Sequence, residues 1–112
     1  MAVSLKDAQD VTGAIVEALR PLSVVVFGSV AARGEGEDLD LLIVSDENSV
    51  GDTDENLLLH RSLKGFYGRF SIDPFVVRAS RLEEHLKRGS PFLDVIAREG
   101  RVLYMKEAAR EW

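Results

Sequence analysis

Ser23-Val24-Val25-Val26-Phe27-Gly28-Ser29 and Asp38-Leu39-Asp40-Leu41-Leu42-Ile43-Val44 are the two stretches that decide the fold of this chain. The first is a β-branched run stopped by glycine, as expected of a strand buried on both faces. The second reads as a strand that is apolar except for its acidic start. Side chains two apart in a strand point the same way, so the carboxylates of Asp38 and Asp40 project together from one face. Between the two strands, Val30 to Glu37 is a small, charged, glycine-containing connection.

Outward from this centre, helical and strand signals alternate. Upstream, Ser4 and Asp7 resemble a capping pair, and Leu5, Ala8, Val11, Ile15, Ala18, Leu19 and Leu22 recur at helical spacing, which predicts an amphipathic helix ending near Pro21. Downstream, the polar stretch from Ser45 to Thr53 reads as a loop. Leu59, Leu63 and Phe66 then keep a helical period to about Gly68, predicting a helix over one face of the sheet. Phe70 to Val77 is a third strand, and Pro74 within it favours an edge or an irregular start because proline cannot donate to a ladder. Ser80 and Glu83 predict a capping box on a short helix. Ser90-Pro91 supplies a cap and a first-turn proline to a last helix carrying Phe92, Val95 and Ile96. Gly100 closes it before a fourth strand, Arg101-Val102-Leu103-Tyr104. Met105 to Trp112 reads as a short polar tail or helix. The expected fold class is α+β: a small mixed sheet of about four strands covered by helices, in a single domain spanning residues 1–112.

Composition narrows the function. At 112 residues and 46% hydrophobic, the chain suits one modest core, too small to enclose a substrate cleft on all sides, so part of an active site is expected from a partner or a homodimer. A net charge of −5 opposes broad nucleic-acid binding, which needs Lys and Arg to replace counterions, and suits a pocket that attracts cations. There is no cysteine for a disulfide or a thiolate metal site. The start, Met-Ala-Val-Ser-Leu-Lys-Asp, has no apolar stretch like a signal peptide, and no later run approaches bilayer length, so a cytoplasmic protein without a membrane segment is expected.

Asp38 and Asp40 need a physical account, because two like charges this close repel. One takes a proton, both are well solvated, or a divalent cation neutralises them, and paired oxygen ligands suit Mg²⁺ or Mn²⁺. A solvated acidic turn entering a strand is the plain alternative. At Gly28-Ser29 the missing side chain lets another group approach the backbone, while the serine hydroxyl and following amides can donate to phosphate oxygens. By itself the pair is an ordinary turn. No Gly-Lys-Ser or Gly-Lys-Thr follows it, and Gly34-Glu35-Gly36 does not open a dinucleotide-binding helix. Arg33, beside Glu35 and Glu37, reads as a solvated surface charge more readily than as a phosphate ligand. His60 and His85 stand alone without zinc spacing. Tyr67, Tyr104 and Trp112 are too scattered for a base-stacking platform, leaving core packing or interface contact.

Taken together, Val26-Phe27-Gly28-Ser29-Val30-Ala31-Ala32-Arg33-Gly34 leading to Asp38-Leu39-Asp40-Leu41-Leu42-Ile43-Val44 resembles the signature of the DNA polymerase beta-type nucleotidyltransferase superfamily, and of its minimal nucleotidyltransferases in particular. Ile72-Asp73 matches the family's third carboxylate strand. Gly89-Ser90-Pro91-Phe92-Leu93 with Arg98-Glu99-Gly100-Arg101-Val102-Leu103-Tyr104 is similar to the ending of minimal members. The Gly-Ser to Asp-x-Asp connection is short, and Glu37 stands where many members have a small polar residue.

The resemblance implies transfer of a nucleoside monophosphate, AMP from ATP, to a hydroxyl. In this expectation Asp38, Asp40 and Asp73 are catalytic and hold Mg²⁺ or Mn²⁺, Asp73 accepts the acceptor's proton, and Gly28 and Ser29 hold the β- and γ-phosphates. It also implies a partner, a HEPN-domain protein of a toxin–antitoxin module whose tyrosine is modified. Two other readings stand beside it: an aminoglycoside-type enzyme, which drug-susceptibility assays would separate, and an antitoxin that neutralises its partner by contact without turnover.

Overall fold

The computed structural model describes residues 2–46 and 54–106. The order along the chain is β1 (Val3–Ser4), α1 (Leu5–Leu19), β2 (Ser23–Phe27), α2 (Ser29–Arg33), β3 (Glu35–Gly36), β4 (Asp38–Ser45), α3 (Glu55–Leu63), β5 (Ser71–Arg78), α4 (Ala79–Lys87), α5 (Pro91–Glu99) and β6 (Arg101–Met105). The expected loop from Ser45 to Thr53 falls largely, and the tail beyond Met105 almost wholly, outside the described residues.

The α+β class and the mixed sheet are as expected. Four strands order as β5-β4-β2-β6, with β4 and β5 parallel and the other neighbours antiparallel. β5 lies at an edge, where Pro74 does not have to donate to a second neighbour. Val30 to Glu37 is not the plain connection expected. It forms the short helix α2 and then β3, which pairs antiparallel with β1 through Val3↔Gly36 and Ser4↔Glu35. Two-residue strands have no periodicity to read, so only pairing reveals them.

Alternation along the strands builds two cores. On one face Val24, Val26, Leu39, Leu41, Ile43 and Ile72 meet the apolar stripe of α1 (Ala8, Val11, Ile15, Leu19) together with Leu59 and Leu63 of α3. On the other, Leu42 and Val44 meet Leu93 and Ile96 of α5, with Val25, Phe27, Val77 and Leu82 partly buried around them. The sheet is therefore covered on both sides, thickly on the first and thinly on the second, where α4 buries no residue fully.

The caps follow their residue types with one exception. The Ser4 hydroxyl accepts from the Asp7 amide while the Asp7 carboxylate accepts from the Ser4 amide, a complete capping box on α1. Arg20 ends that helix in the left-handed conformation (φ 48°) just before Pro21. Ser90 caps α5 through the Leu93 amide, with Pro91 in the first turn and Gly100 closing it. The capping box expected of Ser80 and Glu83 does not form: α4 begins at Ala79, with Arg78 as its cap residue and no side-chain cap bond. Leaving the edge strand β5, the chain enters helix directly, so Ser80 is already inside the first turn. The helix expected to run to Gly68 ends instead at Leu63, and turns carry the chain from there to Phe70. Among the described residues no helix is long and apolar enough to cross a membrane.

Leu41 is fully buried and Leu57 is 48% exposed, although both are leucines in regular structure. Replacing Leu41 by Ala is expected to cost about 2–5 kcal/mol in urea unfolding, whereas Leu57→Ala should cost under about 0.5 kcal/mol.

Candidate functional site

Asp38 and Asp40 begin β4 on the face of Leu42 and Val44, opposite the face that Leu39, Leu41 and Ile43 bury. Parallel pairing sets Asp40 beside Asp73 and Asp38 beside Ser71, while on the other side Phe27 is the partner of Asp40. Ile72 is committed to the larger core, so Asp73 faces the same way as Asp38 and Asp40. The three aspartates expected to act together therefore share one sheet face. Asp38 and Asp73 are exposed and Asp40 is half-buried.

Gly28 and Ser29 stand at the end of β2, next to this row. Gly28 has φ 74° and ψ −152°, a conformation open to glycine and costly for other residues. A Cβ there would collide with the Asp40 Oδ2, so the carboxylate occupies the space glycine leaves. A Cβ on Gly36 would likewise collide with the Ser29 Oγ. The strand pair β1–β3 thus holds Gly36 against Ser29, and both glycines are needed for close approach. An open cleft of about 460 Å³ lies here, lined in part by Ser29, Arg33, Gly36, Glu37, Asp38 and Asp40. Arg33, expected to be a solvated charge, is exposed but borders this cleft.

Electrostatics sets Asp40 apart. Burial, and then the charges of Asp73 and Asp38, push its carboxyl above the usual aspartate range. A divalent cation fits that situation, because it would offset the repulsion and the donors are hard oxygens. Among the described residues no group of three or more His, Cys, Asp or Glu side chains is arranged to hold a metal ion as the side chains stand. Mg²⁺ needs no complete protein cage: it is commonly held by one or two carboxylates with water and substrate phosphate oxygens completing the shell.

Two features of the site escaped sequence reasoning. Gly36 had no signal beyond being a glycine. The other is an aromatic cluster of Phe27, Phe75 and Phe92, with ring centroids 5.5–5.8 Å apart. A signal for one of its rings was available, since Phe75 follows Asp73 by two residues and so shares its face. Of the aromatics considered from sequence, Tyr67 is exposed with its hydroxyl 3.1 Å from His60 Nδ1, and Tyr104 packs against the larger core. Trp112 lies outside the described residues. His85 is exposed on α4.

Comparison with protein-family models and with curated proteins finds no match to this chain.

Two measurements check this geometry. Gly28→Ala should destabilise the fold by about 1–3 kcal/mol or more in urea unfolding, from backbone strain together with displacement of the Asp40 carboxylate. Asp40 binds its proton more tightly in the folded than in the unfolded chain. Its contribution to stability is then full below the unfolded-chain pKa and is lost as pH rises through the raised folded value. In chelator, Asp40→Asn should therefore melt at a higher temperature than the parent at neutral pH, with the gain shrinking as pH falls towards about 4.

Proposed function

We propose that this chain is a metal-dependent nucleotidyltransferase of the minimal, DNA polymerase beta-like kind, transferring AMP from ATP to a hydroxyl acceptor. The observation that carries the reading is one row of side chains: Asp40 beside Asp73 in parallel register, Asp38 on the same face, and Asp40 packed over a glycine whose Cβ would displace it. A structural acidic turn does not require a third carboxylate from a different strand.

Asp38, Asp40 and Asp73 would hold the cations. When bound, divalent metal supplies charge neutralisation for the triphosphate and for the attacking and leaving oxygens of an in-line displacement. The cleft makes that dependence concrete, since Glu37, Asp38 and Asp40 line it and would repel a free triphosphate that Arg33 alone does not balance. Ser29 and the amides that follow orient the β- and γ-phosphates. Asp73, exposed at the edge strand, accepts the proton of the acceptor hydroxyl. The acceptor oxygen bonds to the α-phosphorus, the bond from that phosphorus to the bridging oxygen breaks, and pyrophosphate leaves.

The acceptor we favour is a tyrosine of a HEPN-domain partner, which makes the chain an antitoxin. The cleft is open, and Leu86, Val95 and Val102 are left half-exposed on the thinly covered side of the sheet, as suits a surface completed by another protein.

The test is transfer of label from α-labelled ATP, with Mg²⁺ or Mn²⁺, to the product of the neighbouring gene, for which a HEPN-domain protein is expected. Labelling is expected, and Asp38→Asn, Asp40→Asn and Asp73→Asn should each lower it by on the order of a hundredfold or more, several kcal/mol of lost charge stabilisation. Partner neutralisation that survives Asp38→Asn and Asp40→Asn, without labelling, would instead establish inhibition by contact.

A further inference from the structure

The carboxylate row separates two clefts of opposite character. On the side of the strand starts lies the polar cleft with Ser29 and Arg33. On the other side, one pleat further along β4 and β5, Leu42 pairs with Phe75 on the same face as Asp40 and Asp73. There the chain forms a second cleft of about 260 Å³, lined by Phe75, Phe92, Leu93, Val77, His85 and Ser90. Phe92 of α5 packs edge-on to Phe27 and against Phe75, with both centroid distances 5.5 Å. Phe27 is in turn the strand partner of Asp40. Phe75 and Phe92 nevertheless remain 45% and 46% exposed. Large aromatic surface left open beside charged groups is unusual in a small domain, and it calls for an occupant.

We infer that the cleft between Phe75 and Phe92 holds the nucleobase of the nucleotide, stacked on the ring of Phe75 with the inclined ring of Phe92 against its edge. This rests on the nucleotidyltransferase reading above and extends it. A nucleoside triphosphate is anionic at one end and a flat aromatic ring at the other, with the α-phosphate between them. The site repeats that order: hydroxyl and guanidinium donors, then carboxylates, then aromatic rings. Stacking on phenylalanine uses a π-face that every base has, so the cleft explains binding of the ring without fixing which base is preferred. His85 and Ser90 are the polar side chains at its lining. The Ser90 hydroxyl accepts from the Leu93 amide as the cap of α5 and keeps its own proton to donate, so His85 and Ser90 can both meet a polar ring edge.

The test compares two ligands in calorimetric titrations with Mg²⁺: an ATP analogue that cannot be cleaved between the α- and β-phosphates, and inorganic tripolyphosphate. Phe75→Leu and Phe92→Leu keep apolar volume and should remain folded, as thermal melts would verify. Each should weaken the ATP analogue on the order of tenfold while leaving tripolyphosphate binding unchanged, and Phe75→Trp should restore nucleotide affinity. Unchanged nucleotide affinity in folded Phe75→Leu and Phe92→Leu would overturn the inference and leave the transferase reading intact. Equal loss of both ligands would overturn it too, as general damage to the site. If the parent binds neither ligand, both the inference and the reading beneath it fail.

Discussion

β4 can bury only one of its faces in the larger core, and the rest of the molecule depends on which one. Leu39, Leu41 and Ile43 are fully buried there against α1 and α3, which forces Asp38 and Asp40 onto the other side. A slip of one residue would drive both carboxylates into the apolar core and move Leu39 to the half-buried position that Asp40 now holds. A large apolar side chain contributes roughly 1.5–3 kcal/mol by its burial, and each uncompensated buried charge costs several kcal/mol. The register is therefore fixed by hydrophobic burial, and the acidic row inherits a rigid position from it.

That position is electrostatically unfavourable by itself. Asp40 is partly withdrawn from water, has Asp73 on the neighbouring strand and Asp38 on its own, and fits only because Gly28 has no side chain. Such an arrangement trades stability for a cluster of negative charge held in place before any ligand arrives, the pattern expected of a functional site more than of a structural one. The strand pair β1–β3 extends the same logic, holding Gly36 against Ser29 so that the hydroxyl borders the cleft. The surrounding fold supplies the force: α1 is fixed at its start by the Ser4–Asp7 capping box, and the Leu5 amide donates to the carbonyl of Gly34 at the end of α2.

Legibility in the sequence followed the strength of the periodic signal. Ser23–Phe27 and Asp38–Val44 were readable because apolar runs bounded by glycine and charge leave few alternatives, and period-two geometry alone put Asp38 and Asp40 on one face. The adjacency of Asp73 was not readable from periodicity, since parallel pairing of β4 with β5 is a long-range choice made by the two cores; only the resemblance suggested it. α2 and β3 were missed because five and two residues are too short to show a period. The Ser80–Glu83 pattern misled, because a capping motif states a preference that the exit from an edge strand overrode. The phenylalanine cluster was missed because its members come from three separate elements, β2, β5 and α5, and only packing brings them together.

The proposed role of Asp38, Asp40 and Asp73 is that of one cation site completed by a nucleotide. Titration of Mn²⁺, followed by loss of its free-ion electron paramagnetic resonance signal, tests this in the presence of a non-cleavable ATP analogue. The parent protein is expected to take up Mn²⁺ only when nucleotide is present, beyond what nucleotide binds alone, and folded Asp40→Asn is expected to abolish that uptake. Uptake by Asp40→Asn equal to the parent's, or none by the parent, would contradict that role.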